Sequence, residues 1–218
     1  MACDWFGGQI KNKLVITPDD EDYQQTKRIK RNGTPLESPF RELAAWVSAN
    51  YVVHVLNVVY DTIEGSRPRL AVVLETEKDA QKFRVPPGNY NENEQKRVKE
   101  RFETILAEQR DLRFNTAWLL VIFEAFEPVA KLDALWSVTE EEISRLKARL
   151  ANKDLWKIHR GFDQVTFFFY TRAQVKQYEA AGLRDLYSQE YSCLVRPHDE
   201  FGYLEAWNLG PFRFKREF

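Results

Sequence analysis

Hydrophobic and polar positions along this chain follow two different periods. Three short runs are apolar at nearly every position: Leu70-Ala71-Val72-Val73-Leu74, Trp118-Leu119-Leu120-Val121-Ile122-Phe123 and Val165-Thr166-Phe167-Phe168-Phe169-Tyr170. Each is short, rich in β-branched or aromatic residues, and followed directly by a helix signal. That combination reads as a strand covered on both faces. A fourth run, Tyr51–Tyr60, is broken only by His54 and Asn57, which a strand would place on opposite faces.

Between these runs the period becomes helical. Ser38-Pro39 opens a helix to about Asn50 in which Phe40, Leu43, Ala44 and Val47 share a face. Thr76 caps a short helix through Phe83, and Pro86-Pro87-Gly88 ends it. Asn91 with Glu94 starts the longest helix, which runs to about Gln109. Thr139 with Glu142, and Thr171 with Gln174, are capping-box pairs. Asn152 is the expected stop of the first of these helices, and Gly182 the expected C-terminal cap of the second. A further helix carries Leu183, Leu186, Tyr187 and Tyr191 and ends before Pro197. The tail alternates rings and cations over Phe212-Arg213-Phe214-Lys215-Arg216, as an edge strand with one wet face would.

The connection Asp61–Pro68 suits a hairpin. The helix between Leu70–Glu75 and Trp118–Phe126 suits a parallel pair. The pattern therefore predicts one α+β domain over residues 37–218, with a mixed, mostly central β-sheet of about five to six strands covered by amphipathic helices. The similar spacing of the strand starts Leu70, Leu119 and Val165 suggests two similar ferredoxin-like halves, 37–127 and 128–218. Residues 1–36 read as an N-terminal arm or hairpin. That segment holds a short strand at Lys13–Thr17, an acidic run Asp19–Asp22, a basic run Lys27–Arg31 and a turn at Asn32-Gly33.

Composition narrows the function classes. The 15 Phe, 9 Tyr and 6 Trp among 218 residues imply an aromatic core, and 44% apolar with 30% charged residues fits a globular chain. A net charge of -1 gives no basic excess, which argues against nucleic-acid binding and leaves Lys27–Arg31 as its only weak candidate. Cys3 and Cys193 read as free thiols in a reducing cytosol. No leader pattern and no apolar stretch of membrane-spanning length stands out, so the expected compartment is the cytoplasm.

No phosphate loop, dinucleotide fingerprint or nucleophile elbow is present, and no cofactor is expected. The singly scattered His54, His159, His198 and the two cysteines do not supply a zinc site, and His54 reads as a hydrogen-bonded core histidine. Asp61, Glu75, Glu77 and Glu124 fall at predicted strand ends, where clustered carboxylates can hold a metal ion for phosphoester hydrolysis. Lys78 directly follows Glu77, which departs from the spacing of a nuclease core. The leading expectation is a non-enzymatic interaction or regulatory domain. It would meet an unidentified protein partner through Trp5, Phe6, Phe212, Arg213, Phe214 and Lys215, with the hydrolase as the alternative.

Overall fold

The apolar runs become strands in the computed structural model, which describes residues 17–63, 67–111, 113–161, 165–204 and 213–216. Trp5, Phe6, Phe212 and all of the Lys13–Thr17 strand except Thr17 lie outside the described residues. The fold is mixed α+β, with eight α-helices among the described residues. In place of one central sheet of five to six strands, the described residues form three small ones, of three, two and three strands. The chain divides into two units, residues 1–129 and 130–218. Each group of strands has helices of its own to cover it, so each closes a separate core.

In the first unit, β1 (Val55–Ile63) and β2 (Arg67–Leu74) form an antiparallel pair. β5 (Leu120–Ala125) joins β2 in parallel. α2 (Phe40–Tyr51) and α4 (Glu92–Gln109) bring Leu43, Val47, Phe102 and Ile105 onto Val58, Leu70, Val72, Val121 and Phe123. The opposite face is equally dry: Ala71, Val73 and Ile122 are fully buried there. Its cover is α1 (Glu21–Asn32), whose Tyr23 and Thr26 are buried. Glu21–Asn32 of the expected arm is therefore a helix. Acids in its first turn and bases in its last suit the helix dipole, and Gly33 accepts the left-handed φ of 61° that ends it. α3 (Glu77–Gln81) starts at Thr76, whose hydroxyl accepts the Asp79 N–H at 3.1 Å. A small hairpin, β3 (Arg84–Val85) with β4 (Asn89–Tyr90), follows it. Ser38 does not cap α2; its hydroxyl donates to Gln109 at 2.8 Å.

α5 (Phe126–Ser137), which the sequence pattern missed, follows β5 without a break. In the second unit α6 (Glu140–Leu150) opens with the expected capping box at Thr139 and Glu142. β6 (Leu155–Arg160) and β7 (Val165–Phe169) are antiparallel, and β8 (Arg213–Arg216) runs parallel to β7 on its other side. α7 (Arg172–Ala180) starts at the second capping box. Gly182 does not end it but precedes α8 (Leu183–Val195) as that helix's N-cap, with φ 72°. Ile143, Leu146, Tyr187 and Tyr191 pack on Ile158, Phe167, Phe169 and Phe214. Arg160 ties the turn between α5 and α6 together, donating to the carbonyls of Leu135, Trp136 and Val138 and to Glu140.

Both three-stranded sheets share one order: an antiparallel pair with a bulge near its start, then helices, then a third strand parallel to the second. Among the described residues neither unit has the β-α-β-β-α-β order of a ferredoxin-like fold. The equivalent central strands are β2 and β7, so Leu119 does not start an equivalent strand.

Phe214 is 7% exposed and its ring meets those of Phe167, Phe169 and Tyr187. It belongs to the core, not to a docking surface. Phe214→Ala is expected to cost about 3–5 kcal/mol of stability, read as a lower urea midpoint at unchanged slope. Glu142 supplies a pH test. The N–H and hydroxyl of Thr139, followed by His198 at 3.1 Å, hold its carboxyl at about 2, below the ordinary 4.5. A carboxyl depressed by folding stabilises the protein above its unfolded pKa, and that contribution is lost as pH falls from 4.5 through about 2. Melting temperatures taken at about pH 5 and about pH 2 should converge in Glu142→Gln relative to the parent.

Candidate functional site

Arg69 lies on the central strand of the first unit, on the face that α1 covers, and is 0% exposed. The β1–β2 register sets Asp61 directly opposite it. Asp61 takes two hydrogen bonds, from Nε at 2.8 Å and from Nη2 at 2.7 Å. Asp22 of α1 takes a third at 2.8 Å, and Glu124 of β5 stands 4.0 Å from the guanidinium. Burial alone would lower the Arg69 pKa, but the three carboxylates outweigh it and raise the pKa above its ordinary value. Beside this group, Asn57 donates to Thr26 at 3.0 Å, and Tyr23 stacks on Phe126 with ring centroids 5.2 Å apart. One buried cation thus joins α1, β1 and β2, with β5 alongside.

A second charged group forms where β2 ends. Glu75 receives Lys30 of α1 at 2.5 Å through one oxygen and the Nδ1 of His54 through the other. Its own N–H donates to the His54 carbonyl at 2.9 Å. Val52, two residues earlier, is left-handed at φ 52°, a strained conformation for a β-branched residue, as the chain turns from α2 into β1. His54 is not the buried strand histidine expected: its side chain is 65% exposed. The carboxylate fixes one ring nitrogen and leaves the other edge toward water.

Lys30 and His54 border a cleft of about 480 Å³ between the end of α1, one side of α2 and the start of β1. Ile29, Leu36, Ala44, Val55 and Leu56 give it an apolar lining, Lys30 and Arg41 supply its cationic positions, and His54 adds a ring edge. It lies beside the start of β1, which pairs with the end of β2.

The four strand-end carboxylates do not share a centre. Asp61 and Glu124 converge on Arg69, Glu75 on Lys30 and His54, and Glu77 binds Arg84 at 2.8 Å. The Glu77 N–H donates to Glu127 at 3.1 Å. Antiparallel pairing puts Asp61 and Glu75 at opposite ends of the hairpin. Among the described residues no group of three or more His, Cys, Asp or Glu side chains could hold a metal ion. The basic run is dispersed along α1: Lys27 sits 6.0 Å over the Tyr23 ring and Lys30 turns to Glu75. Of the expected docking residues, Phe214 is buried, Lys215 is exposed, and Arg213 pairs through its backbone in β8. Sequence reasoning passed over Arg69, because a lone Arg beside Pro68 carries no signal until the register brings Asp61 across from it. Trp118, expected inside a strand, precedes β5 at φ 58° and is 85% exposed. No helix among the described residues is long and apolar enough to cross a membrane.

No protein-family model matches the chain, and no curated protein or solved structure matches it either.

The Arg69 group yields a stability prediction. Arg69→Met leaves buried carboxylates without their cation and should cost about 3–5 kcal/mol, measured by urea unfolding.

Proposed function

We propose that this chain is a non-enzymatic binding protein whose first unit receives an apolar group next to an acidic one. The receptor is the cleft between α1, α2 and the start of β1, and the acidic group would come from a partner protein's surface or from a small molecule. The single observation behind this reading is the cleft itself: about 480 Å³, within the range of ligand sites, apolar in lining and bordered by Lys30, Arg41 and His54. Aliphatic side chains would bury the apolar part of the occupant. The cationic positions would fix its acidic part, and Glu75 would hold Lys30 and His54 in place beforehand, which lowers the ordering cost of binding.

Metal-dependent phosphoester hydrolysis has less support. Asp61, Glu75, Glu77 and Glu124 are distributed over three separate sets of cations. Binding through Lys27–Arg31 has less support because α1 disperses the run along its length, with Lys27 over the Tyr23 ring.

Anilinonaphthalene sulfonate, an apolar body with one anionic group, is a suitable probe. The native protein should enhance its fluorescence saturably, with one dye per chain. Ala45→Trp, an exposed change on the cleft wall, should abolish that enhancement while leaving the circular dichroism unchanged. Undiminished dye binding by a folded Ala45→Trp variant overturns the reading.

A further inference from the structure

The sheet of the second unit has one face packed on its helices and another on which the exposed Lys157, His159 and Lys215 stand around Phe168, with Thr166 buried beside it. Register sets the rows. On the core side Ile158, Phe167 and Phe214 stand side by side and are buried. One position along, on the other side, Lys157, Phe168 and Lys215 form the next row, so one ring lies between two lysines. The row beyond it is His159, Thr166 and the position of Arg213. The bulge at Trp156 sets Trp156 and Lys157 together against Phe168. The Phe168 ring meets Trp156 edge-on at 6.0 Å and His159 at 6.4 Å. Lys157, His159 and Lys215 are exposed, while Trp156 and Phe168 are half-buried.

Charge on these strands is one-sided. Leu155–Arg160, Val165–Phe169 and Arg213–Arg216 contain five Lys or Arg residues and one His but no Asp or Glu. The chain as a whole carries 33 acidic and 32 basic residues, so cations are segregated onto this sheet. Beside β6, a cleft of about 420 Å³ continues the same chemistry, with Trp136 next to Lys157, His159 and Arg160; its one acid, Glu140, is bound by Arg160 at 2.9 Å.

We propose that this face binds single-stranded nucleic acid, with bases stacking on Phe168 and Trp156 and phosphates meeting Lys157 and Lys215. Neighbouring strands are roughly 4.8 Å apart, so the two lysines flank the ring at about 10 Å from each other across the sheet. Rings set between cations suit unstacked bases with a flexible backbone, whereas a duplex hides its base faces from them. An acidic protein surface would use the lysines but gain nothing specific from the half-buried rings. Local segregation of charge is what lets a chain of near-zero net charge hold a polyanion.

Fluorescence anisotropy with the full chain and labelled oligouridine or oligothymidine of about twelve nucleotides tests this. Binding is expected at low salt, with log affinity falling by about 0.7 per neutralised phosphate for each unit of log salt. The double variant Lys157→Gln/Lys215→Gln should reduce that slope by about 1.4. Phe168→Leu, which keeps an apolar side chain but removes the flat ring, should weaken binding roughly tenfold at an unchanged slope. Both variants are first checked by circular dichroism. Ala45→Trp, in the first unit, should bind the oligonucleotides as the parent does, so the result is independent of the dye experiment. Absence of binding at low salt, or binding unaltered in the lysine double variant, overturns the proposal. So does equal affinity for a duplex of the same length, or equally strong competition by polyglutamate, which would mark a site for an acidic protein.

Discussion

A fully buried guanidinium is the interaction on which the first unit depends. Arg69 sits on the central strand, and a charge taken from water there is tolerable only if its hydrogen-bonding fork is filled. Asp61 fills one side because the hairpin register places it across the strand pair. Asp22 fills another only if α1 lies on the sheet. Docking α1 in turn brings Lys30 to Glu75 and gives the cleft one of its walls. Helix position, ion pair and cleft follow from one cation's need for partners.

The two three-stranded sheets show how similar strand orders lead to different surfaces. In the first unit the central strand is dry on both sides, because α1 covers the face that α2 and α4 leave open. In the second unit β7 is also apolar along its length, but the exposed Lys157, His159 and Lys215 sit on the face away from its core helices. Phe168 is therefore half-buried by its strand neighbours, while Phe167 and Phe169 are fully buried. Apolar strand sequence alone does not separate these two outcomes.

Near-neutral composition misleads in the same manner. A net charge of -1 conceals a sheet whose strands carry no carboxylate and a buried cation facing three of them. Electrostatic function follows local arrangement, since exposed charges more than about 10 Å apart are largely screened from each other at ordinary ionic strength.

Local physics made much of the fold legible from residue order. The capping boxes at Thr139 and Thr171, the Asn91 start of the longest helix, the apolar strands and the wet side of the last strand all depend on groups a few residues apart. α1 was hidden because its charges read as a solvated arm, although Tyr23 and Thr26 lie at helical spacing and Gly33 marks its end. α5 was hidden because its apolar start continues the strand before it. What tertiary structure alone decided was pairing across long stretches of chain. It put Asp61 against Arg69, turned His54 outward to Glu75, buried Phe214 and lined Lys157, Phe168 and Lys215 into one row. Sequence determines which side chains are available within a turn or a strand. Contacts between residues tens of positions apart arise only when the cores close, because register and helix docking are set by the burial of the whole unit.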